Sequence, residues 1–162
     1  MYNSFVNHKG NDLLIVILNL IPQKQIETYK IYLKIINMIV EYKKNKDTYI
    51  SEFWLITLKL MIKFENNPDI MICNLDAVKK FSSLDQFKEL INQEFIDLII
   101  KITSNTEYNK VATLGLQILD IIIKLGGNIE LMRNTKPLTF IVKLLTKYRN
   151  DDILSFVIYS LN

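Results

Sequence analysis

The chain has 162 residues, of which 49% are hydrophobic, enough for one continuous core of ordinary domain size. Four glycines and three prolines are too few for the turns of an all-β fold and favour long helices with short connections. The formal net charge of +3 rests on lysine, with Arg133 and Arg149 the only arginines, so neither nucleic acid nor an anionic membrane is an electrostatically favoured partner.

The first apolar run, residues 13–21, follows Asp12 as a helix cap and stops at Pro22, which cannot donate a helical backbone bond. It is too short to span a bilayer and lacks a small-residue cleavage site, so it reads as a core helix with no membrane span. A second helix is expected over residues 25–44 and a third over 48–65, joined as an antiparallel hairpin through polar residues 45–47. Asn66, Asn67 and Pro68 end the third. Residues 69–83 are the least regular stretch, with a short helix expected over 76–81. The one tryptophan, Trp54, is read as a packing residue.

Downstream, a short helix at 85–91 precedes one at 93–103, and a turn at 104–106 supplies N-cap oxygens for a long helix over 107–125. Gly126, Gly127 and Asn128 form a helix stop. A short segment at 129–134 then leads to Thr135 as N-cap, with Pro137 in the first turn of a helix that runs to about Tyr148. Asn150 or Asp151 caps the last helix.

These last elements copy the ones before them. Residues 87–120 align without a gap on residues 129–162, at an offset of about 42. Apolar meets apolar at Phe87/Ile129, Ile96/Leu138, Ile99/Ile141, Leu114/Phe156 and Leu119/Leu161, while Asn92/Asn134 and Lys101/Lys143 are identical. Each long helix is apolar around most of its circumference and carries one narrow polar stripe, so it needs neighbours on two or three sides. The stripe is Thr113, Gln117, Asp120 and Lys124 on one helix and Asp152, Ser155, Tyr159 and Asn162 on the last. An earlier helix carries Lys30, Lys34, Asn37, Glu41 and Lys44 at similar spacing.

With its offset of about 42 and its order of short helix, helix, helix, the chain resembles an armadillo/HEAT-type α-solenoid, most clearly over residues 87–162. The resemblance implies an all-α, right-handed α-α superhelix of about three to four helical repeats. The whole chain is then a single armadillo-like domain: divergent N-terminal repeats over 1–83, a repeat over 84–128, and a last, incomplete one over 129–162. The third helix of each repeat would line a concave groove that grips a partner protein, placing Thr113, Gln117, Asp120, Lys124, Ser155, Tyr159 and Asn162 in it. The sequence departs from the armadillo import receptors, whose groove helices carry a Trp followed four residues later by Asn. Gln117 and Ile121 occupy those places in one repeat and Tyr159 in the next, which disfavours a nuclear-localisation-signal carrier.

Chemistry has few residues to rest on. His8 is the sole histidine, so neither a histidine-based triad nor a multi-histidine metal site can be assembled. No Gly-rich phosphate loop appears, and no cofactor is expected. The lone Cys73 excludes an intramolecular disulfide, makes a reducing, cytoplasmic setting the default, and reads as an inert, partly buried thiol. Asp151 and Asp152 suit helix capping better than acid/base work.

The expected function is a non-enzymatic protein-interaction scaffold that uses its groove or an end face. The alternative is a structural subunit of a larger ciliary, cytoskeletal or organellar assembly, and a nucleic-acid-binding repeat ranks third. Since the apolar period is still running at Asn162 with no stop signal, the last helix is expected to self-associate, to be completed by another chain, or to continue into a longer array.

Overall fold

The structure, a computed structural model, describes residues 16, 20–22, 25–42, 50–125 and 147, and the side chains of all of these except 39–42. The helix cap expected at Asp12, the glycine stop at 126–128 and the second copy of the repeat lie outside the described residues, apart from Lys147. All regular structure among the described residues is helical: α1 (Ile26–Tyr42), α2 (Ile50–Lys63), α3 (Pro68–Phe81), the single turn α4 (Phe87–Leu90), α5 (Gln93–Asn105) and α6 (Asn109–Lys124).

Helices α1, α2 and α5 fall close to their expected positions, but α3 corrects the sequence reading. Residues 69–83 are no irregular stretch with a short helix at its end, because α3 starts at Pro68 and runs fourteen residues. The Asn-Asn-Pro signal ends one helix and starts the next. Asn67 takes extended geometry and its Oδ1 accepts the Ile70 N–H at 3.1 Å, while Pro68 fills the first helical position, where its missing N–H costs nothing. A second correction concerns 104–106. Ser104 and Asn105 belong to α5, Thr106 is its C-cap, and α6 starts at Asn109 without a side-chain cap at Tyr108. Asn92 caps α5, its Oδ1 accepting the Phe95 N–H at 2.9 Å.

The helices form two rows. Residues 64–67 turn α2 back against α3, and residues 106–108 turn α5 back against α6, so each pair is antiparallel. Helix α3 also packs against α1 on one flank and α6 on the other. These three run in the same direction, since Lys30 near the start of α1 reaches Asp69 at the start of α3, and Met71 of α3 lines the same cleft as Val111 of α6. Their first residues, Ile26, Pro68 and Asn109, advance by about 42 residues each time. In the second row Trp54 of α2 packs against Phe95 of α5, and Glu65, just past the end of α2, pairs with Lys101 of α5.

The core fills the space between the rows. Trp54, 3% exposed and confirmed as a packing residue, meets Phe81, Phe87 and Phe95 edge-on, at centroid distances of 5.5, 5.7 and 4.7 Å. Four elements therefore converge on one indole. Tyr29 of α1 is fully buried beside α2: its ring lies 4.6 Å from that of Phe64, its hydroxyl donates to the Ile21 carbonyl at 2.8 Å, and Lys63 Nζ donates to the same hydroxyl at 3.0 Å. That chain of contacts ties Ile21 to α1 and α2.

One buried group works against the fold. Asn74, in the middle of α3, is fully buried, and neither its amide nitrogen nor its oxygen has a hydrogen-bond partner. Burying an unmatched amide is unfavourable, and an apolar group of similar shape removes that cost. Asn74→Leu is expected to raise the unfolding free energy by about 1–3 kcal/mol in chemical denaturation. A loss of stability in that variant would show that the amide is satisfied in solution.

Candidate functional site

The polar stripe expected on α6 exists as a surface. Thr113 and Asp120 are half-buried and Gln117 and Lys124 exposed, while Val111, Ala112, Leu116, Ile118 and Leu119 turn inward. Lys124 Nζ bonds Asp120 Oδ2 at 2.6 Å, a pair one turn apart. Gln117 reaches off its own helix, its Oε1 accepting a hydrogen bond from Lys79 Nζ of α3 at 2.8 Å. Ser155, Tyr159 and Asn162, the other expected groove residues, lie outside the described residues.

Helix α3 supplies a stripe that the sequence reading passed over. Asp69, Cys73, Asp76 and Lys80 are spaced by four, three and four, the same helical signature as on α6, and all are exposed or half-buried. On the other flank, α1 brings Lys30, Lys34 and Asn37. Lys30 Nζ binds Glu27 at 2.9 Å within α1 and Asp69 at 3.0 Å across the helices. Those hydrogen bonds, Glu27's first and then Asp69's, hold the ammonium protonated well above the ordinary lysine range. Lys30 to Asp69 and Lys79 to Gln117 thus stitch three stripes into one polar face along the α1, α3, α6 row. Exposed contacts of this kind add little to stability.

The face is chemically mixed. Ammonium, carboxylate and amide groups alternate across it, which suits recognition of a polypeptide by hydrogen bonds and short-range charge better than recognition of a polyanion. Cys73 sits half-buried in its centre; burial first, and then the charge of Asp76, push its thiol above the ordinary cysteine value. A thiol kept protonated is a poor nucleophile. Among the described residues no group of three or more His, Cys, Asp or Glu side chains is placed to hold a metal ion, and no helix is long and apolar enough to cross a membrane.

A cleft of about 320 Å³ opens at one end of the helices, where the α2–α3 and α5–α6 turns lie side by side. Met71, Ile102 and Val111 line its interior, and Glu65, Glu107 and Tyr108 are among the residues of its rim. Neither turn foretells it, because the cleft exists only where residues about forty positions apart are brought together by the stacking of the hairpins.

No protein-family model matches the chain, and no curated protein or solved structure does.

Proposed function

We propose that the chain is a small armadillo/HEAT-like superhelix, right-handed and non-enzymatic, that works in the cytoplasm as a protein-interaction scaffold, gripping a partner polypeptide along the polar face of α1, α3 and α6. The observation that carries this reading is the parallel row itself: three helices starting about 42 residues apart, each turning a narrow polar stripe to the same side. A face of that kind is long and shallow. An extended segment could lie across the helices and meet one rung of side chains from each.

The test uses the intact chain against a variant with Asp76→Lys, Asp120→Lys and Lys124→Glu. All three side chains are at least partly exposed, so the variant is expected to keep its helical circular dichroism. Affinity capture followed by crosslinking should recover a partner with the intact chain and lose it with the variant. Unchanged capture would refute the groove.

One observation favours the alternative, a structural subunit within a larger assembly. Ile31, Ile35 and Met38 share a face of α1, and Ile31 and Met38 are 57% and 60% exposed; on α2, Leu55 and Ile62 are likewise exposed, seven residues apart on one face. Exposed apolar rows mark surfaces that other chains cover. Under that reading the isolated chain self-associates in light scattering, and Ile31→Lys with Met38→Glu restores the monomer.

A further inference from the structure

We infer that the cleft between the α2–α3 and α5–α6 turns is a binding site for an arginine side chain of a protein partner. It lies at the turn end of the helices and does not rest on the groove reading.

The interior suits the stem of such a side chain. Met71, Ile102 and Val111 are buried and apolar, offering a surface on which three methylenes can pack. The rim suits its head. Of the three ionised residues that line the cleft, two are carboxylates and one is an ammonium, and Lys101 Nζ already binds Glu65 Oε2 at 2.6 Å. Glu107 has no ion pair among the described residues and is exposed at the mouth. Beside it Tyr108 lines the same cleft and is 53% exposed, an aromatic side chain open to solvent. A guanidinium can donate two parallel hydrogen bonds to the Glu107 carboxylate and stack on that ring, which an ammonium cannot do in the same geometry.

An anion fits less well, although α3 and α6 both begin here. Asn67 Oδ1 takes the Ile70 N–H, Pro68 has no N–H to offer, and the Tyr108 N–H is bonded to Thr106 Oγ1 at 3.2 Å. The donors an anion would need are partly spent, and the nearest unpaired charge is negative.

The experiment is a titration of the isotopically labelled full chain, followed by amide NMR, with N-acetyl-arginine amide. N-acetyl-citrulline amide is the neutral control of nearly the same shape, and N-acetyl-glutamate amide the anionic one. Saturable shifts are expected at Asn105, Glu107 and Tyr108, with a dissociation constant on the order of millimolar for a single side chain. The citrulline compound should bind at least about threefold more weakly, since its ureido group is neutral and carries a carbonyl oxygen in place of one N–H donor group. Glu107→Gln and Tyr108→Leu should each weaken the arginine compound by about threefold or more, and neither should change the fold, because both side chains are exposed. Shifts that do not saturate, equal binding of citrulline, or preference for the glutamate compound would each overturn the assignment.

Discussion

Trp54→Ala is expected to cost about 3–5 kcal/mol of stability, the largest loss from any single substitution in the described core. Small domains have only about 5–15 kcal/mol to lose, so much of the variant's margin should disappear. The reason is convergence. Trp54 belongs to α2, yet its edge-on neighbours Phe81, Phe87 and Phe95 come from α3, α4 and α5. Deleting the indole removes its buried area and leaves three phenylalanine rings facing a void that helices on both sides can only partly close. Urea denaturation followed by far-ultraviolet circular dichroism measures the loss. A second variant separates volume from shape: Trp54→Phe keeps an aromatic ring at the junction and should recover more than half of the stability lost in Trp54→Ala. A loss below about 1 kcal/mol for Trp54→Ala would mean that the four elements do not depend on one another at this point.

The same junction shows what was legible in the sequence. Helices α2 and α5 were readable because their apolar residues recur at helical spacing and their ends are marked, by the polar turn after Lys63 and by Asn92 before Gln93. Helix α3 was hidden for two physical reasons. Its start signal, Asn67 with Pro68, is also a stop signal for α2, and sequence alone does not say that one asparagine serves both. Its inward face carries Asn74, a polar residue where the period calls for an apolar one. Losing α3 meant losing Asp69, Cys73, Asp76 and Lys80, and with them the middle rung of the polar face. The stripe on α6 was readable because every position in it is polar and every position opposite is aliphatic or glycine. That Gln117 reaches Lys79 was not, because the contact depends on how closely α3 and α6 approach, a property of packing between helices. The cleft was out of reach for the same reason.

Approach distance is also what makes Gly115 the second sensitive position. A glycine inside a helix is a cost of about 1 kcal/mol relative to alanine, so one retained in the middle of α6 calls for a contact that a side chain would prevent. That contact is Thr103 of α5. A Cβ built on Gly115 would collide with Thr103 Oγ1 and lie 3.2 Å from Thr103 Cβ. The threonine cannot easily turn aside, because it is fully buried and its hydroxyl donates to the Ile99 carbonyl at 2.6 Å. Gly115→Ala must therefore push α5 and α6 apart or break that hydrogen bond, and the overpacking is expected to outweigh the gain in helix propensity, for a net loss of about 1–3 kcal/mol. Propensity alone predicts the opposite sign, which makes the experiment decisive. Thr103→Ala removes the clashing oxygen, so the double variant Gly115→Ala with Thr103→Ala should be more stable than the sum of the two single losses predicts, by at least about 0.5 kcal/mol in a double-mutant cycle. If the two losses simply add, the helices do not touch at this point in solution; if Gly115→Ala stabilises the chain, α5 and α6 lie further apart than the Thr103 contact requires. A positive coupling would locate the closest approach of the α5–α6 hairpin at this pair.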